Sequence, residues 1–106
     1  MSDWAAFNDG RSIGSVSSEG GVILRDDEHR RGARLTLKRG KNYISVSCNI
    51  YGWMDHTRFL GSVYEAEREY DLMKKELDKV LEVFASRNLN NLMAWEAISV
   101  FVSKFP

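Results

Sequence analysis

The sequence predicts an α+β domain, with an antiparallel meander of about five strands over residues 11–60, a long amphipathic helix over 62–87 and a second, mostly apolar helix over about 91–105. Three observations predict it. All eight glycines lie within the first sixty-one residues, so breaks are dense early and absent late. Residues 33–38 and 43–51 alternate apolar and polar side chains, the period of half-buried strands. From Ser62 onward the apolar spacing becomes three and four, the period of a helix with one buried face.

A chain of 106 residues has room for one core. Residues 1–10 are expected to be an N-terminal tail or a single helical turn capped by Asp3, and 11–106 one domain. The first strand is expected over Arg11–Ser17, turned by Gly20-Gly21 into a second over Val22–Asp26. A polar loop, Asp27 to Gly32, leads to the third, where Ala33, Leu35 and Leu37 face one way and Arg34, Thr36 and Lys38 the other. Gly40-Lys41 has glycine first, as a two-residue type II′ hairpin requires. In the fourth strand Ile44, Val46, Cys48 and Ile50 share a face, and Tyr43, Ser45, Ser47, Asn49 and Tyr51 share its reverse. The fifth, Trp53–Leu60, has no firm register, because adjacent Phe59 and Leu60 demand opposite faces.

Ser62-Val63-Tyr64-Glu65 is a capping box, and Glu65, Glu67 and Glu69 suit the positive end of a helix dipole. Ala66, Tyr70, Met73, Leu77, Val80, Leu81 and Phe84 form its apolar stripe. Asn88 is a suitable left-handed stop, and Asn90 or Asn91 a suitable cap for the second helix. That second helix is apolar most of the way round. If the first helix covers one sheet face, the second has little left to bury against. Val80, Phe84, Trp95, Ile98, Phe101, Val102 and Phe105 are therefore expected to form an association surface, with a homodimer as the favoured assembly. The alternative is that the second helix folds back on the first within one copy.

Charge and chemistry narrow the function. Fifteen basic and fifteen acidic residues cancel, which disfavours wholesale electrostatic capture of nucleic acid or anionic membrane. No stretch of eighteen apolar residues is present, so no membrane partner is expected. The start lacks the basic and apolar runs of a secretory signal, and a single cysteine excludes an intramolecular disulfide framework; a cytoplasmic setting is expected. No catalytic, cofactor or metal residues are assigned. Asp26-Asp27-Glu28-His29 lacks the spacing of a metal site. Cys48 is predicted to face inward, where a thiol is a small hydrophobe with a raised pKa. An enzyme built on Cys48 and His56 would need the fifth strand's register to bring them together.

The local asymmetry is basic. Arg30, Arg31, Arg34, Lys38, Arg39 and Lys41 fall within twelve residues that hold no acid. Arg30, Arg31, Arg34 and Lys38 with Tyr43 and Tyr51 form a candidate ligand face, cations beside aromatics on an open sheet. The order of elements, antiparallel strands and then a long helix, resembles that of the Whirly and PUR-type nucleic-acid modules; this is a likeness of fold alone, with no family motif carried by particular residues, and it adds slightly to the single-stranded nucleic-acid reading. An acidic protein partner fits the same residues. The reading favoured is a small interaction module that self-associates through its C-terminal helices and binds a protein on the polar sheet face, with single-stranded nucleic acid the alternative.

Overall fold

The computed structural model describes residues 2–106. Its elements are β1 (Trp4–Ala6), β2 (Val22–His29), β3 (Ala33–Arg39), β4 (Ile44–Ile50), β5 (Met54–Leu60), α1 (Val63–Phe84) and α2 (Asn91–Lys104). The strands form one antiparallel meander in the order β1-β2-β3-β4-β5, so the α+β class is as the sequence predicts. The chain divides inside α1 into two compact units, Met1–Tyr70 and Asp71–Pro106.

In the first unit, Leu35 pairs with Cys48, Leu37 with Val46 and Ala33 with Ile50. All six are buried and form the inner face of the sheet. The first two turns of α1 are tied to this face. The Tyr70 hydroxyl donates to Asp27 Oδ2 at 2.6 Å and lies 2.9 Å from the Leu35 carbonyl oxygen. The Arg25 guanidinium sits 4.0 Å over the Tyr70 ring and donates to Glu67 at 2.9 Å. Arg58 donates to Glu69 at 2.7 Å. Glu67 and Glu69 thus serve cross-sheet pairing as well as the helix dipole. The serine half of the capping box is in place, with Glu65 N donating to Ser62 Oγ at 3.1 Å.

The N-terminal half differs from the sequence reading. The first strand is Trp4–Ala6, three residues within the expected tail, and it pairs with Asp27–His29. β2 therefore runs to His29, through residues expected to be loop. Residues 11–17, expected as the first strand, form turns and bends with one bridge to β2, Val16 to Val22, and are tied to it further by Gly14 N donating to the Ile23 carbonyl and Ser12 Oγ to Asp26, each at 2.8 Å. The backbone explains this: Gly10, Gly14, Gly20 and Gly21 take φ between 81° and 91°, a conformation that breaks an extended run. The Gly40 turn is also not type II′. It closes over four residues, with Gly40 N donating to the Tyr43 carbonyl at 2.8 Å, and Gly40 is not among the positive-φ glycines.

A bulge at Leu24 organises β2. Ile23 pairs with Lys38 but Arg25 pairs with Leu37, so one residue is extra and the side-chain parity inverts there. Beyond the bulge, Arg25, Asp27 and His29 point to the inner face. Ile23, Asp26 and Glu28 point to the outer face, with Arg34, Thr36 and Lys38.

In the second unit, Asn90 caps α2, its Oδ1 accepting from Met93 N at 2.9 Å. Ala94, Ile98 and Phe101 are buried along one side of α2, and Phe105 just past its end. The Phe101 and Phe105 rings lie 5.0 Å apart. Lys104 donates to Glu76 at 3.1 Å, so α2 folds back along the C-terminal half of α1. Among the described residues, no helix is long and apolar enough to cross a membrane.

Candidate functional site

The outer face of the sheet carries a polar trough of about 340 Å³. Its floor is built by register. Arg34, Asn49 and Asp55 form one cross-strand row, and Thr36, Ser47 and Thr57 the next. Lys38 lies one row further, beside Ile23, and Ser17, Ser18 and Glu19 overhang from the turn before β2. Ser47 Oγ and Thr57 Oγ1 are 3.1 Å apart, so the floor presents paired hydroxyls.

One wall is a hub around Asp26, whose side chain is fully buried. It accepts Arg34 Nε at 2.9 Å, Arg34 Nη2 at 2.6 Å, Ser12 Oγ at 2.8 Å and Thr36 Oγ1 at 3.1 Å. The hydrogen bond to Asp26 raises the Arg34 pKa further above its ordinary value. The Phe7 ring lies 3.6 Å from the Arg34 guanidinium and fixes its other side. Arg34 lines the trough, but its charge is spent on Asp26.

Lys38 is different. It is only 8% exposed and forms no ion pair or hydrogen bond through its side chain among the described residues. Among the described residues no sealed side-chain nitrogen or oxygen lacks a partner, so the Lys38 ammonium keeps some solvent contact, and Lys38 lines the trough. A lysine buried along its stem with an unpaired head is a ready receptor for a negative group.

The other residues of the expected ligand face are dispersed. Arg30 donates to Asp3 at 2.6 Å, and Arg31 is exposed beyond the end of β2. The Tyr51 hydroxyl donates to Glu28 at 2.6 Å; burial first, and then Glu28, push its pKa up to about 12. Tyr43 is turned edge-on to Phe59, ring centroids 6.1 Å apart, against Gly21 and Gly40. Of the six residues, the trough gathers Arg34 and Lys38. It adds Thr36, Ser47, Asn49, Asp55 and Thr57, which alternation could have supplied once the register of β5 was known.

Of the expected association residues, Val80, Ile98, Phe101 and Phe105 are buried within the chain, and Phe84 and Val102 are half-buried. Trp95 is exposed, as are its neighbours Leu92 and Val100 on α2.

The register does set Cys48 opposite His56. The thiol is nonetheless sealed, and burial, with the Asp55 charge a smaller cause, pushes its pKa up to about 12. A thiol held in that state is a poor nucleophile. The acids of β2 alternate between faces, Asp26 and Glu28 outward, Asp27 inward, and among the described residues no group of three ligating side chains is placed to hold a metal.

No protein-family model, curated protein or solved structure matches this chain.

Proposed function

We propose that the protein is a binding module whose outer sheet face receives a ligand through one anionic group, a carboxylate free or borne on a protein. The observation that supports this is Lys38, nine-tenths buried, without a partner among the described residues and lining a hydroxyl-bearing trough. A phosphate chain is less well served. Arg34 is neutralised by Asp26 and Arg30 by Asp3, so cations for successive phosphates are missing, and Tyr43 and Tyr51 do not form a stacking platform. Titration of acetate, inorganic phosphate and oligothymidylate, followed by amide chemical shifts, tests the reading. Acetate should move the amides of Thr36, Ser47 and Thr57, and Lys38→Met should abolish the shifts. Shifts that persist in the variant, or a response to oligothymidylate alone with strong salt dependence, would overturn it.

A second reading, self-association through α2, is favoured by the exposure of Leu92 (69%), Trp95 (52%) and Val100 (59%) on one short helix. Sedimentation velocity across dilution tests it. A dimer that Trp95→Lys dissociates supports the reading, and a monomer at every concentration removes it. We also propose a cytoplasmic setting, with which a single, buried cysteine accords.

A further inference from the structure

The trough holds more negative than positive free charge, and this specifies its ligand. With Arg34 neutralised by Asp26, the lining charges without a partner among the described residues are Lys38, Glu19 and Asp55, one positive and two negative. A simple anion seated on Lys38 would leave both carboxylates facing it without compensation. A dianion would fare worse. A ligand that also carries a cation meets all three charges.

The spacing separates the two ends. Lys38 and Asp55 lie two strands and four residues apart on the same face, which places their Cα atoms about 16 Å from each other. Between them lie Ser47, Thr57 and Asn49, which supply hydroxyl and carboxamide donors and acceptors. A free α-amino acid, its ammonium and carboxylate on one carbon, is too short to use both ends. A short peptide is suited: extended residues advance about 3.5 Å each, and its internal amides match the polar floor.

We infer that the trough binds a short zwitterionic peptide, its C-terminal carboxylate on Lys38 and its N-terminal ammonium at Asp55, with Glu19 overhanging. This rests on the reading of the trough as an anion-receiving site and adds the cation, the length and the amide floor.

Three probes on one tripeptide backbone test it: triglycine, N-acetyltriglycine, which keeps only the negative end, and triglycinamide, which keeps only the positive end. Their affinities are read from amide chemical shifts on the full chain. Triglycine should bind about tenfold more tightly than either blocked form, the effect of one charge-assisted hydrogen bond. Asp55→Asn should erase the difference between triglycine and its acetyl form, and Lys38→Met the difference between triglycine and its amide. If N-acetyltriglycine binds as well as triglycine and both need Lys38, the zwitterion inference fails while the anion site stands. If none of the three binds, both fall. Should Lys38→Met fail to fold, the comparison of blocked peptides on the native chain and on Asp55→Asn decides alone.

Discussion

Asp26 and Arg34 meet in a two-point fork, Nε to Oδ1 and Nη2 to Oδ2, on strands joined by a turn of three residues. The carboxylate is fully buried and the guanidinium is about a third exposed. Removing the carboxylate strands a partly desolvated cation and unties Ser12 and Thr36 as well. Asp26→Ala should cost about 3 kcal/mol, the lower end for a broken buried pair because Arg34 can partly rehydrate. Urea unfolding of Asp26→Ala, Arg34→Met and the double variant checks this. The double should lose less than the sum of the singles.

Stability should fall in alkali. Burial, then the hydrogen bond to Asp27, pushes the Tyr70 phenol well above its ordinary 10.0, and burial pushes the Cys48 thiol from 9.0 up to about 12. In the fold both keep their protons while the unfolded chain releases them, so the unfolded state binds fewer protons above pH 9. The contribution is complete below the unfolded values and is lost as pH rises toward 12. Urea midpoints measured from pH 7 to 11 should decline from about pH 9, and Tyr70→Phe should flatten the decline above pH 10. In the same series Cys48 should react with a thiol reagent only at the rate of unfolding.

Gly21 is held by two constraints at once. Its φ is +83°, and a Cβ there would stand 2.6 Å from the Tyr43 hydroxyl oxygen. Gly21→Ala should cost about 1–3 kcal/mol. Tyr43→Phe, which deletes the offending oxygen, should recover the steric part and leave the backbone part. A double-mutant cycle by thermal unfolding separates them.

The two aromatic residues of α2's middle should behave oppositely. Phe101 is 1% exposed and Trp95 52%. Phe101→Ala should cost about 3–5 kcal/mol. Trp95→Ala should change the stability of a single copy by less than about 1 kcal/mol. Any larger loss that grows with protein concentration would report an interface.

Where one face is buried, sequence alternation carried the fold. The parity of Leu35 and Leu37 against Val46, Cys48 and Ile50 is observed pair for pair, because misplacing one would expose all. The register of β5 was illegible because Phe59, an apolar residue on the polar face, is 68% exposed and contradicts Leu60 beside it. β1 was missed because three residues are too few to show a period. Arg34 and Lys38 were legible as outward cations, but not that one is neutralised and the other free. That distinction depends on Asp26, which reaches the outer face only because of the bulge at Leu24. Asp55 and Thr57 joined the site through a register no local pattern fixed.

The sheet ends at β5, whose far edge offers hydrogen-bonding groups to any passing strand. Arg58 sits in the middle of that margin, its guanidinium turned to the inner face and held by Glu69. A foreign strand laid alongside would have to cover this charge and strip its remaining water, at a cost that hydrogen bonding along seven residues must first overcome. The ion pair that fastens the start of α1 thus also places an inward-pointing charge on an edge strand, a feature that disfavours pairing with another sheet.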